Sequence, residues 1–378
     1  MSSTPTETFD VAIIGGGIAG VTAAYHLAPH CRVVLLERES HLAHHTTGRS
    51  AAIFHEYLGG PLNTALTIAS RSFIEAPPEH LVDGPILTPE GVLIIGAPGH
   101  EAAIESDVLQ AQQYTPSTAL LTTDEALELC PVLQPEMVGN AMWEPDSGAL
   151  DVMGLHQAFV RGCRAAGAQI VRDQHVVSLD RCEGNWQIKT TTDQWQARVI
   201  VNAAGAWGDV VGQLAGAQPI GLRPLRRTAF TVATDYDTSS WPFIYAADTP
   251  EPCYFKGESG GQLLCSLADE TLSEPCDSKP EELDIALAID RINRLTTLDI
   301  RAIKSSWAGL RTFAPDDSPV IGWDNQIDGF CWMVGQGGTG IQTSPGAGAL
   351  IASVILDTAL PKHLQSIGID KSAYAPRR

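Results

Sequence analysis

The sequence predicts an α/β fold, α+β overall. A domain wound around a parallel sheet is interleaved with a second domain built on an antiparallel or mixed sheet. Three observations carry this expectation. Phe9–Glu37 reads as strand, glycine turn, helix, strand and acid. Val199–Trp207 is a second buried strand running through small residues toward a helix. Farther on, Pro219–Val232 and Cys253–Ser266 read as antiparallel strands.

The first stretch holds the spacing Gly15-x-Gly17-x-x-Gly20 after the apolar run Val11–Ile14. Gly15 permits the tight turn, Gly17 lets backbone approach a pyrophosphate, and Gly20 lets helix pack on strand. The N–H groups of Ile18 and Ala19 then face phosphates at a helix N-terminus. Glu37 lies twenty residues beyond Gly17, where a carboxylate meets a ribose hydroxyl. A bare GxGxxG is weak evidence. With the strand, helix and acid in place it reads as a dinucleotide site, for NAD or FAD.

The 378 residues are 44% hydrophobic, enough for two domains with cores. A net charge of −20 argues against nucleic acid and anionic membranes as partners. The eight cysteines form no CxxC pair, so no metal is expected and buried thiols in a reducing compartment are. The polar Met1–Thr8 leads directly into the first strand, so no signal peptide is expected. No apolar run reaches membrane-spanning length. A cytoplasmic protein, monomeric or a small homo-oligomer, is expected.

In chain order, Thr46–Ala52 is small and hydroxylated and can lie close against a cofactor; Thr46 or Thr47 can equally cap a helix. Leu66–Ile74 reads as helix, and Leu87–Ile95 as a strand pair around Pro89-Glu90-Gly91. Helices follow at His100–Gln113 and Thr123–Leu129, then a strand at Met137–Trp143. Asp151 caps a helix over Gly154–Ala166. Strands at Ile170-Val171 and Val176–Leu179 precede the hairpin-like alternation of Asn185–Thr190 and Gln194–Val201, and a helix covers Asp209–Ala215. After Pro219–Val232 and Cys253–Ser266, Asp284–Leu295 reads as helix and Ile303–Leu310 as a strand ending in Arg311. Phe330–Val334 enters the glycine turn Gly335–Gly340, and a helix follows with Ser344 as cap and Pro345 in its first turn. The first domain is expected over residues 1–80, 148–215 and 305–378, and the second over 81–147 and 216–304.

Taken together, the GxGxxG turn with Glu37, the loop Thr47-Gly48-Arg49-Ser50, the run Asn202–Trp207 and the terminal Gly-rich turn ending in Ile341-Gln342 resemble the D-amino-acid oxidase superfamily of FAD enzymes. Within it, Gly48–Ala52, Val201–Trp207, Arg226–Phe230, Trp307–Phe313 and Ile341–Ser344 are similar to the D-arginine dehydrogenases, a group of broad D-amino-acid dehydrogenases. The resemblance covers nearly the whole chain and is more specific for the flavin fold than for the substrate. It implies non-covalent FAD, with His44, His45 and Cys331 as the conceivable covalent anchors. It implies cofactor contacts from Gly15, Gly17, Ile18, Ala19, Gly20, Glu37, Arg38, Thr47, Gly48, Arg49, Ser50, Ala51, Val177, Ala204, Gly205, Trp207, Gly309, Arg311, Gly337, Gly338, Gly340, Ile341 and Gln342. Backbone N–H groups of Gly335–Gly340 and the following helix N-terminus suit a reduced, anionic flavin.

The resemblance also implies a substrate carboxylate clamp of Arg227, Arg311 and Tyr254, with Gly338 and Thr339 offering backbone groups to the amine. Arg pairs with both carboxylate oxygens and keeps its charge. Arg226 and Arg227 are adjacent on a strand, so only one can face a cleft. Where the D-arginine dehydrogenases place an acid, this chain has Val92. Ile53 and Leu58 stand for a His and a Tyr. An apolar pocket without a carboxylate rejects a guanidinium, which would lose hydration without a partner.

The expected reaction is oxidative deamination of D-amino acids by hydride transfer, neutral or apolar side chains preferred to arginine, with dehydrogenase behaviour favoured over oxidase. Alternatives are oxidation or demethylation of secondary amines of the sarcosine type, and 2-hydroxy-acid oxidation with His55 as activating base. A non-catalytic FAD-binding assembly protein is the reading from another class. The electron acceptor is left among a quinone, a dye-like carrier and O2. Lys256 and Lys304 are the cations considered for oxygen activation.

Overall fold

The computed structural model describes residues 8–377. The polar start read at Met1–Glu7 lies outside them. Thr8–Ile14 is the centre of an eight-stranded sheet. Val33–Leu36 and Gln194–Asn202 flank it in parallel, with Gln169–Val171 and Phe330–Val334 parallel beyond each. Asn185–Thr190 and Val176–Cys182 extend one edge as antiparallel strands. The central strand is buried on both faces, as a parallel strand covered on both sides requires. Val11 and Ile13 pack under the helices Ile18–Leu27, Val152–Ala165 and Ser344–Ile355. Ala12 and Ile14 join Trp186, Phe330 and Trp332 on the other side. Each large apolar side chain so buried contributes about 1.5–3 kcal/mol.

A ten-stranded sheet forms the second layer system. Its main strands are Arg223–Ala233, Gln262–Ser266, Cys253–Glu258, Phe243–Asp248 and Val92–Gly96, and the helix Glu282–Leu295 packs on one face. Ser305–Phe313, grouped by the sequence with the first domain, pairs along its whole length with Arg223–Thr231 in this sheet. Its successors Val320–Trp323 and Phe330–Val334 belong to the eight-stranded sheet. The chain thus crosses between the sheets within a few residues.

Other local expectations shift. Leu87–Pro89 and Val92–Gly96 are not a hairpin. The first pairs with Gly148–Leu150 in a three-stranded sheet, the second with Phe243–Asp248 and Asn140–Glu144. Gly91, at positive φ, turns the chain from one sheet to the other. The helix Thr123–Leu129 is capped one residue earlier than its first acids suggest, by a Thr122–Glu125 capping box. Thr343, not Ser344, occupies the cap position of the last long helix. The Ser344 hydroxyl donates instead to the Ile341 carbonyl oxygen. Asp151 caps its helix as expected, accepting from the Gly154 N–H at 2.8 Å.

Candidate active site

At the C-terminal ends of the parallel strands lie three cavities that share walls. The first is lined by Gly15, Gly17, Glu37, Arg38, Thr47, Ala204, Gly205 and Trp207. The second runs from Gly17, Ile18, Ala19 and Thr47 past Arg49, Ser50, Ala51 and Gly309 to Gly337, Gly338, Gly340 and Ile341. The third, about 730 Å3, holds Ile53, Leu58, Val92, Arg227, Tyr254, Arg311, Gly338 and Thr339.

The turn at the first cavity is built as its glycines require. Gly15 has φ of 114°, and a Cβ there would stand 2.5 Å from the Ala203 carbonyl oxygen. A Cβ on Gly20 would overlap the Gly15 carbonyl. Buried Glu37 accepts from the Gly16 N–H at 2.6 Å and the Glu39 N–H at 2.8 Å. Arg38 lies over the Trp207 ring at 4.4 Å. The Ile18 N–H donates to the Thr47 hydroxyl at 3.0 Å.

Four expected cofactor positions are used otherwise. Val177 is 41% exposed, while its neighbour Val176 lines the cavity: strand alternation turns the face by one residue. The Gly48 N–H donates to the Ala43 carbonyl oxygen behind the loop. The Arg49 guanidinium is turned away to Asp277 and to the Ser278 and Ala308 carbonyl oxygens, and only the rest of the residue borders the cavity. The Gln342 side chain holds His55 at both backbone groups, each at 2.9 Å, and also donates to the Thr67 hydroxyl. His44 and His45 stand at the Glu37 end, and Cys331 is fully buried in the sheet, so none of the three is at the Gly337–Gly340 end. Glu39, His44 and His45 bring one ligand atom each within 4.8 Å of one another. They are already bonded, His45 to Glu39 at 2.9 Å and His44 to His41 at 2.6 Å.

The third cavity gathers the clamp residues. Arg311 stands opposite Leu225 and Arg227 opposite Gly309 on paired strands, so the two arginines share a face. Arg226 points to the other face, into Glu281 and Asp284. Arg227 donates to the Asp269 carbonyl oxygen at 2.6 Å and to Glu270 at 3.0 Å. Among the described residues no hydrogen bond or ion pair holds the Arg311 guanidinium. Burial and the like charge of Arg227 push it below its ordinary pKa. Gly338 makes room for it: a Cβ there would lie 3.1 Å from the Arg311 guanidinium nitrogen. Thr339 lines the cavity, but its N–H donates to the Gln336 carbonyl oxygen and its own carbonyl accepts from Thr343.

Sequence reasoning missed three residues here. Tyr245 pairs with Tyr254 across neighbouring strands, and burial pushes its phenol up. Glu270 faces Arg227 from a distant loop. Buried Glu144 stands 3.2 Å from His55, which lines the cavity. Only strand register brings these together, so no spacing in the sequence marks them. Lys256 is paired with Glu258 at 2.7 Å, and neither it nor Lys304 lines the three cavities.

The three cavities make one trench, with an acid at one end, helix N-terminal amides midway and a glycine turn at the other. That shape fits an extended dinucleotide carrying a second ring system beyond its pyrophosphate. The model of the FAD dependent oxidoreductase family matches residues 10–354. The chain belongs to that family. FAD is therefore the cofactor, and the protein is an FAD-dependent oxidoreductase.

Glycine oxidase of Geobacillus kaustophilus is 23% identical over 97% of this chain and 100% of its own length. Human mitochondrial sarcosine dehydrogenase is 24% identical over 96% of this chain, which spans 41% of that longer protein. Among solved structures, the L-proline dehydrogenase of P. horikoshii superposes with a TM-score of 0.84 at 21% identity, covering 98% and 97% of the two chains. These structures share the fold. The finer likeness to D-arginine dehydrogenases rests on the sequence segments alone. No helix among the described residues is long and apolar enough to cross a membrane.

Proposed function

We propose that this flavoenzyme oxidises a small amino acid at its Cα–N bond, with D-amino acids bearing neutral or apolar side chains preferred to D-arginine. The observation that carries the reading is the partly buried Arg311 guanidinium in the cavity wall beside Arg227. A partly buried cation without an ionic partner among the described residues costs free energy, and a like charge beside it adds to the cost. A substrate carboxylate offsets both, pairing with the fork of Arg311 and reaching Arg227 and the Tyr254 hydroxyl. Val92, Ile53, Leu58 and Phe243 give the side chain an apolar wall, but the cavity is not free of carboxylates as the sequence implied: Glu270, Asp316 and Asp317 also line it, the last two paired with Arg377 and Arg223.

Bound flavin supplies the acceptor for the hydride that leaves Cα. The protein's part is orientation: the clamp would fix the carboxylate, and Gly338 and the apolar wall would confine the rest of the substrate. The imine product hydrolyses in water to a 2-oxo acid and ammonia. Sarcosine-type secondary amines form the second reading, since the same clamp serves them and sarcosine dehydrogenase is among the relatives. Dehydrogenase rather than oxidase chemistry is the reading carried for the electron acceptor.

An anaerobic screen of flavin bleaching over D-, L- and N-methyl amino acids tests this. D-leucine or D-methionine is expected to bleach faster than D-arginine. Faster bleaching by sarcosine selects the second reading, and no bleaching by any of them overturns both. Dye reduction without peroxide is the expected outcome for a dehydrogenase.

A further inference from the structure

The cavity wall holds a histidine, His55, that the clamp does not use and that stands against a buried carboxylate. His55 Nε2 stands 3.2 Å from Glu144 Oε2, and both side chains are under 5% exposed. Glu144 also accepts from the Ser147 hydroxyl at 2.9 Å, while its second oxygen has no hydrogen-bond partner. Burial alone would raise the Glu144 carboxyl, but His55, Ser147 and the more distant Arg71 outweigh it and hold it below the usual carboxylate range. At 3.2 Å that carboxylate favours the tautomer with Nε2–H toward it, although the two make no aligned hydrogen bond and Nε2 has no hydrogen-bond partner among the described residues. That leaves Nδ1 with a lone pair. Gln342 clamps the His55 backbone at both N–H and C=O, so the residue is held as a fixed part of the wall.

We propose that His55 is the proton acceptor for the substrate's amino group and that Glu144 is a positioning residue that orders and stabilises its imidazolium. This rests on the amine reading above. An amino acid arrives as an ammonium, which has no lone pair to support hydride loss from Cα. His55 takes one N–H proton and the bonding electrons stay on nitrogen. Bound FAD would supply the acceptor for the Cα–H electron pair, while the nitrogen lone pair so freed would form the C=N bond. Such a transfer contributes roughly 100-fold or more.

The charged groups behind His55 are Glu144 and Arg71, with Glu56 beside it in the chain and paired to Arg71 at 2.7 Å. Across the cavity stand Arg227 and Arg311, and Tyr245, Tyr254 and Glu270 surround them.

The test is the pH dependence of anaerobic flavin reduction by the best amino acid, in the flavin-loaded wild type, His55→Gln, His55→Asn and Glu144→Gln. The His55 variants are expected to reduce flavin about 100-fold more slowly than the wild type near neutral pH and to recover toward the wild-type rate where the free amine predominates. Glu144→Gln is expected to fall less near neutral pH and to match the wild type where the free amine predominates. Wild-type rates near neutral pH in both His55 variants, with flavin still bound, overturn the proposal alone. Wild-type flavin that no amino acid reduces overturns the functional reading and the proposal with it.

Discussion

Arg226 and Arg227 are neighbours on one strand and face opposite ways. Arg226 meets Glu281 and Asp284, with Asp269 at 3.9 Å, so carboxylates balance its charge even though its Nε makes no hydrogen bond among the described residues. Arg227 has a backbone carbonyl and one half-exposed carboxylate, and Arg311 beside it has no ionic partner among the described residues. The same residue type is thus complete on one face and incomplete on the other. The complete face joins helix Glu282–Leu295 to the sheet. The incomplete face is where an anion is wanted.

The comparison breaks most sharply at Arg311. Arg311→Met is expected to lower kcat/KM for an amino acid by about a thousandfold, two charge-assisted bonds being worth roughly 4 kcal/mol, while flavin absorbance stays. Steady-state kinetics with the flavin spectrum alongside checks it. Arg226→Met should do the converse: kcat/KM nearly unchanged and stability lower by about 2 kcal/mol in urea titration, from bonds to charged groups left unmade.

Two smaller changes sharpen the substrate side. Val92→Glu places a carboxylate in the apolar wall, and the ratio of kcat/KM for D-arginine over D-leucine is expected to rise by about tenfold or more, measured by dye reduction. Glu270→Gln removes a competing anion from Arg227. Because Glu270 is half exposed, KM should fall only about two- to fivefold, as 0.5–1 kcal/mol allows.

The same contrast separates what was legible in the sequence. Gly15–Gly20 and Glu37 carry a local geometry in their spacing, so their place was readable. Adjacent arginines on a strand must diverge, so the choice between faces was readable too. Val177 slipped by one because strand alternation fixes the face only once the register is known. Leu87–Pro89 and Val92–Gly96 looked like a hairpin because nothing local says that Gly91 passes the chain between sheets. His55 and Glu144 lie on separate elements far apart in the chain, and a lone histidine announces no partner. The role of Gln342 was hidden for the same reason.

The chain crossing described above has a consequence for how such a site changes over time. The carboxylate grip sits on Arg223–Ala233 and Ser305–Phe313, which are braced against each other along their full length. The gauge that measures the side chain sits elsewhere, at Ile53, Leu58 and Val92, on other strands and a loop. Substitutions in the gauge leave the grip and its register to the cofactor turn untouched. One scaffold can therefore exchange the side chain it accepts while keeping the same hold on the amino-acid head.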